Sequence, residues 1–202
     1  MRRTSTRILF LRHGQSVWNA EGRWQGHADP ELSDLGRMQA MMAARHLGAV
    51  DAIVASDLQR ARDTAIIISD QLGIGPVIVH DVLRERSAGE WTGLTRTEIE
   101  AKWPGALEER RYPAGYESET SIVERMTRAV AMLHREFEGA EVLAVSHGGV
   151  IRAFERFLGH DEPPFANLAG RWVEVSDDRM EAGDRVLLID PDEVELTIPK
   201  QI

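Results

Sequence analysis

The sequence predicts an α/β protein of three layers, a mainly parallel sheet with helices on both faces. Three observations carry this reading. Short apolar runs alternate with longer segments of helical periodicity, the order that lays crossover helices over a parallel sheet. The 202 residues are 43% hydrophobic and 28% charged, enough to bury one core without a disulfide or a metal. No internal repeat, low-complexity tract or Pro/Gly-rich linker divides the chain, so residues 1–202 read as a single domain with a small cap-like insertion at about 91–118.

Residues 7–11, an unbroken apolar run after Arg7, form the first strand and end at Arg12-His13-Gly14. Ser33 caps a helix running to about Leu47, where Gly48 stops it. Ala52–Ala55 is a short apolar strand, and Gln59–Leu72 is a helix that ends before Gly73. Residues 76–79, rich in β-branched side chains, make a third strand. Thr95 and Glu98 have the spacing of a capping box for a short helix closed by Trp103-Pro104-Gly105. Pro113-Ala114-Gly115 marks a loop. Residues 120–137 carry Ile122, Met126, Val130 and Leu133 at helical spacing. Residues 142–145 form a fourth strand, and residues 148–158 a helix directly after it. Residues 171–175 and 185–189 read as a terminal β-pair around Asp177-Asp178.

Composition excludes several classes. The 24 basic and 33 acidic residues leave a net charge of −9. Phosphate-backbone binding needs a basic face, so nucleic acid is not an expected partner. Trp24, Trp91 and Trp103 are read as core or pocket-wall residues, because no basic stripe accompanies them. No apolar run approaches the roughly 18 residues that span a bilayer, so no membrane partner is expected. All but Lys102 and Lys200 of the basic residues are Arg, whose planar fork suits phosphate oxygens. The chain has no Cys, hence no disulfide or thiolate metal site. His27 and Asp29 are two ligands without a third, so no metal is expected. The basic N-terminal stretch 1–7 precedes an apolar run too short for a signal-peptide core, and the default expectation is a cytoplasmic protein. A homodimer is compatible with the sequence, which does not specify the oligomeric state.

Ligands of such folds sit beyond the carboxyl ends of the strands. The first four strands are followed there by Arg12-His13-Gly14, by Ser56-Asp57-Leu58-Gln59-Arg60, by Leu83-Arg84-Glu85-Arg86 and by Ser146-His147-Gly148-Gly149. A single Arg or His at one strand end is unremarkable. Two His, several Arg and a Glu distributed over all four describe a site.

These blocks resemble the histidine phosphatase superfamily. Leu11-Arg12-His13-Gly14-Gln15-Ser16, with Asn19 after it, is similar to the family signature. Ser56, Leu58, Arg60-Ala61 and Thr64-Ala65 match a second block, and Leu83-Arg84-Glu85 and Val145-Ser146-His147-Gly148-Gly149 the remaining two. The resemblance covers about residues 8–152 and implies a phosphoglycerate-mutase-like fold. Pro113-Ala114-Gly115-Tyr116-Glu117-Ser118 resembles a further phosphatase-branch segment, with Tyr116 where a second Gly is usual. Tyr lacks the freedom of Gly at positive φ and puts a large side chain near the site mouth.

The resemblance implies a histidine acid phosphatase-type phosphomonoesterase that needs no cofactor and acts on a small phosphorylated metabolite. His13 is then the nucleophile, Arg12, Arg60 and His147 hold the phosphoryl oxygens, and Glu85 protonates the leaving oxygen. Asn19, Gln25 and Gly26 add phosphate contacts. Gly148 and Gly149 open a helix after a strand, where N–H groups meet an anion or simply allow tight packing. Glu85, flanked by Arg84 and Arg86, also fits a surface salt-bridge cluster. Arg110 and Arg111 fit either a solvated pair or a clamp on a second anionic group. The rival functions are mutase-type phosphoryl transfer and a catalytically silent phospholigand-binding protein. The latter is disfavoured because all five chemical positions are present.

Overall fold

A computed structural model of the chain describes residues 5–198. Part of the basic N-terminal stretch and Lys200 lie outside the described residues. Six strands form one sheet: β1 (Thr6–Arg12), β2 (Ala52–Ala55), β3 (Ile78–Val79), β4 (Glu141–Ser146), β5 (Ala169–Ser176) and β6 (Arg179–Leu187). Their spatial order is β3-β2-β4-β1-β5-β6. The first four in that order are mutually parallel, and β5 and β6 add an antiparallel edge. The predicted α/β class is the one observed.

Strand alternation distributes the core over two faces. Ile8 and Phe10 of β1, with Val142 and Ala144 of β4, pack against helices α5 (Glu119–Glu136) and α6 (Gly148–Phe157). Leu9 and Leu11, with Leu143 and Val145, pack against α2 (Asp34–His46) and α3 (Gln59–Leu72). Because β1 and β4 are covered on both sides, their sequences are continuously apolar. They sit side by side at the centre, with Arg12 in register with Ser146. Their carboxyl ends therefore deliver His13 and His147 to one place.

A smaller apolar cluster caps that end. Trp24, Ala88, Trp91, Ile99 and Ala106 are buried together, with Leu94, Trp103, Leu107 and Tyr116 against them. Helix α4 (Arg96–Lys102) starts at a capping box between Thr95 and Glu98, as the spacing predicts.

Three elements differ from expectation. Helix α1 (Val17–Ala20) has four residues, too few to show a helical period. Strand β3 is two residues long, because Pro76 offers no N–H for a ladder and the pairing with β2 begins at Ile78. The last strand runs over Arg179–Leu187 rather than 185–189, after a turn at Asp177-Asp178. It is a half-exposed edge strand without apolar runs. Leu188 and Ile189, whose apolarity drew the expected strand onward, are buried beyond its end in the α2/α3 core. No helix among the described residues is long and apolar enough to cross a membrane.

Candidate active site

Strand ends, α6 and the cap enclose a cavity of about 500 Å3 whose lining includes Arg12, His13, Asn19, Glu85 and Gly149. His13 is buried at its floor. Its Nδ1 lies 2.6 Å from the Gly14 carbonyl, an acceptor that places the ring proton on Nδ1. Nε2 is then the atom carrying a lone pair. Burial, followed by the charges of Arg60 and Arg12, holds the His13 pKa well below the usual histidine value. The imidazole is therefore neutral at neutral pH, the form a nucleophile requires.

His147 lies against it, with ring centroids 5.1 Å apart at 64°. Its pKa is lowered well below the ordinary value by burial and then by Arg60. Both its ring nitrogens, and the Nε atoms of Arg12 and Arg60, are buried without a hydrogen-bond partner among the described residues. Unsatisfied buried donors are costly, and an anion beside this group would satisfy several at once. Burial pushes Arg12 down to about 9 and Arg60 down to about 10, so both stay cationic at neutral pH.

Backbone carbonyls aim the guanidiniums. Arg60 donates to the carbonyls of Ala28 (2.8 Å) and Gly26 (3.0 Å), and Arg12 Nη1 donates to the Phe165 carbonyl at 2.6 Å. The motif residues without a chemical role are ties. The Thr64 hydroxyl accepts from the Gly14 N–H (3.1 Å) and donates to the Arg60 carbonyl (2.7 Å). Ser146 donates to the Leu83 carbonyl at 2.8 Å, which fixes the 3₁₀ turn Asp81–Leu83 before Glu85.

Glu85 does not join a salt-bridge cluster. Arg84 pairs with Asp57, and the Arg86 guanidinium lies 5.3 Å from the Tyr116 ring centre. The Glu85 carboxylate turns inward instead, accepting from the N–H of Arg86 (2.7 Å) and of Gly149 (3.2 Å). Gly149 thus meets the Glu85 carboxylate, and Gly148, the first residue of α6, is buried. A Cβ on Gly149 would stand 2.7 Å from Glu85 Oε1. Gly149→Ala is accordingly expected to displace Glu85 and to slow hydrolysis of alkyl phosphates by about 10²-fold. Aryl phosphates, whose leaving groups need little protonation, should be far less affected. Steady-state rates on one substrate of each kind check this.

Asn19 lines the cavity while its Oδ1 accepts from the Ser16 N–H at 3.2 Å, which leaves its NH2 group as a donor. Gln25 and Gly26 also line it. The Gln25 Oε1 is taken by the Ser16 hydroxyl (2.8 Å). Gly26 has φ +52°, and a Cβ there would lie 2.8 Å from the Ala88 N.

The pair Arg110-Arg111 divides. Arg110 lines the cavity. Arg111 does not: it is ion-paired with Glu109 and donates to the Pro104 carbonyl at 2.9 Å. Of the two readings, a solvated pair or a clamp, Arg111 fits the first, because its guanidinium is committed outside the cavity. Tyr116 stacks on Tyr112 with centroids 4.2 Å apart. Its φ is not positive, so the glycine usual at this position is not needed for backbone freedom.

Sequence reasoning missed Asn167 and the Phe165 carbonyl. Asn167 is buried and donates its side-chain N–H to the His13 carbonyl at 2.6 Å. The 160–168 loop that carries both is tied to the sheet by Arg171, which donates to Glu162 (2.7 Å), and by Arg185, which donates to the Pro163 carbonyl (2.8 Å); Glu155 accepts from both arginines. Arg152, Arg156 and Tyr112 also line the cavity unforeseen. Among the described residues no group of three or more His, Asp or Glu is arranged to hold a metal.

The neutral histidines carry a sign for stability. A pKa held below 6.5 in the folded state means that the unfolded chain binds more protons. The stabilisation is therefore present above the ordinary histidine pKa and lost as pH falls through it. Urea unfolding should show wild type losing more stability between about pH 7.5 and 5.5 than His13→Ala does.

The comparisons agree with this geometry. The family model of the histidine phosphatase superfamily (branch 1) matches residues 8–185. The chain is 38% identical over 198 residues to the glucosyl-3-phosphoglycerate phosphatase of Mycobacterium tuberculosis, covering 85% of this chain and 88% of that one. It is 32% identical over 195 residues to the metal-independent phosphoserine phosphatase of Arabidopsis thaliana, covering 92% and 80%. Among solved structures, mycobacterial glucosyl-3-phosphoglycerate phosphatase complexed with VO3 superposes with a TM-score of 0.76 at 34% identity, covering 90% of this chain and 98% of that one. The chain belongs to the histidine phosphatase superfamily.

Proposed function

We infer that the chain is a phosphomonoester hydrolase of this superfamily, acting on a small-molecule substrate through a phosphohistidine. The observation that carries this reading is His13: neutral, protonated on Nδ1, and buried beside two guanidiniums and a second neutral histidine. In the first step His13 Nε2 bonds to phosphorus as the ester P–O bond breaks. The electron pair leaves with the alkoxide oxygen, which takes the Glu85 proton. Arg12, Arg60 and His147 hold the three equatorial oxygens, supplying the charge stabilisation that phosphoryl transfer requires. In the second step the Glu85 carboxylate removes a proton from water, the water oxygen bonds to phosphorus, and the N–P bond breaks. Inorganic phosphate leaves, and both residues return to their starting states.

Hydrolysis is favoured over mutase transfer by the size of the cap. Only 61 residues, 86–146, separate Glu85 from His147, and α5 and β4 use 18 and 6 of them. What remains is one 3₁₀ turn, the seven-residue α4 and loops. A mutase must keep water from the phosphohistidine until the acceptor returns, and this short segment offers little cover. The test gives the protein 3-phosphoglycerate and a bisphosphoglycerate primer with EDTA present. Release of inorganic phosphate should outpace 2-phosphoglycerate formation. The reverse ratio would make it a mutase, and complete loss with EDTA restored by a divalent cation would make it a metal enzyme.

A further inference from the structure

The carboxylate of Glu85 is held by its own peptide unit. Its Oε1 accepts from the Arg86 N–H at 2.7 Å. That N–H and the Glu85 carbonyl belong to one peptide, which is trans and planar. The carbonyl therefore points away from the carboxylate, and its direction fixes the direction of the N–H. Among the described residues this carbonyl meets one donor, His27 Nε2, at 2.8 Å and across 58 positions of sequence. A carbonyl only accepts, so Nε2 carries the ring proton.

His27 stands on a fixed base. The Ala28 N–H donates to the Gln25 carbonyl at 3.0 Å and closes a tight turn around Gly26 and His27. Arg60 holds the carbonyls on either side of His27, those of Gly26 and Ala28. Asp29 Oδ1 accepts from the Gln59 N–H at 2.5 Å and so caps α3, whose preceding residue Leu58 gives no side-chain bond of its own. The guanidinium that receives the phosphoryl group and the imidazole that holds the Glu85 peptide are thus mounted on one segment. His27 is exposed and is not among the residues that line the cavity, so it acts on the substrate only through another group.

We propose that His27 is a positioning residue for the general acid: its Nε2–H orients the 85–86 peptide, so that the Arg86 N–H keeps the Glu85 carboxyl aimed at the leaving oxygen. This rests on the phosphatase reading above and adds to it the residue that aims the proton transfer. Without His27 the peptide plane is free to turn, and the carboxyl loses its 2.7 Å contact. The phosphoryl site is untouched, because Arg60 binds backbone carbonyls of the turn, which a substitution at His27 leaves in place. Glutamine is the discriminating replacement. Its amide nitrogen lies the same number of bonds from Cα as the imidazole Nε2, and it donates.

The test measures kcat on glycerol 3-phosphate and on p-nitrophenyl phosphate for wild type, His27→Ala, His27→Gln, Glu85→Gln and the double variant His27→Ala/Glu85→Gln, with vanadate inhibition alongside. His27→Ala should lose about tenfold or more on glycerol 3-phosphate and about twofold or less on p-nitrophenyl phosphate, since only the alkoxide needs the proton. Vanadate should inhibit wild type and His27→Ala alike. His27→Gln should recover most of the loss. In the double variant, removing His27 should add little to the effect of Glu85→Gln, as for residues that act through one another. Equal losses of His27→Ala on the two substrates would overturn the proposal and leave the phosphatase reading standing. So would a glutamine variant no better than alanine, or fully additive losses in the double variant. If Glu85→Gln itself loses equally on both substrates, Glu85 is not the acid, and that part of the reading falls together with this proposal.

Discussion

His13→Ala is expected to lower kcat by about 10⁴-fold or more, the scale on which removal of a covalent nucleophile is felt. No neighbour can take its place. His147 lies against the His13 ring but is fully buried behind it and does not line the cavity, so its nitrogens do not reach the substrate's space in place of His13. The fold should survive. His13 contributes a single side-chain hydrogen bond, to the carbonyl next to it in sequence, and its neighbours Arg12 and Arg60 gain no new repulsion when a neutral ring is removed. Thermal unfolding of the variant within a few degrees of wild type, together with the lost turnover, is the expected pair of results. Substantial turnover by folded His13→Ala would remove covalent catalysis from the account.

Glu85→Gln carries the second largest effect, and its size should depend on the leaving group. An alkoxide is a strong base and needs a proton as the P–O bond breaks, and a positioned acid contributes typically 10²–10⁴-fold. p-Nitrophenolate is a weak base and departs with little help. The variant should therefore lose two or more orders of magnitude on glycerol 3-phosphate and far less on p-nitrophenyl phosphate. Glutamine keeps an oxygen able to accept from the Gly149 N–H, as Glu85 does at 3.2 Å, so the geometry at the start of α6 is retained while the transferable proton is not. Equal losses on both substrates would make Glu85 an orienting residue rather than the acid.

The reaction centre was legible because it is built from strand ends. Strands β1 and β4 are covered on both faces and announce themselves as apolar runs, so Arg12, His13 and His147 follow at fixed positions. The surroundings were not legible, for reasons specific to each residue. Phe165 acts through its carbonyl, which every residue possesses. Asn167 reaches the His13 carbonyl across 154 positions from a loop with no period. Arg152 sits within a helix whose apolar face dominates its pattern, and only the packed helix brings its polar face onto the cavity. Arg110 and Arg111 are neighbours in sequence, and nothing in the order of residues tells that Glu109 claims one of them. The last strand, Arg179–Leu187, is an edge without the alternation that marks a half-buried strand.

The phosphohistidine itself is the central claim, and trapping it is the most direct test. Wild type mixed with a ³²P-labelled phosphomonoester and quenched in alkali within the first turnovers should carry phosphate that is stable to base and labile to acid. Peptide mapping should place it on His13, and chasing with unlabelled substrate should release it as inorganic phosphate at the rate of turnover. Turnover with no enzyme-bound phosphate under the same quench, or label on a residue other than His13, would contradict the account.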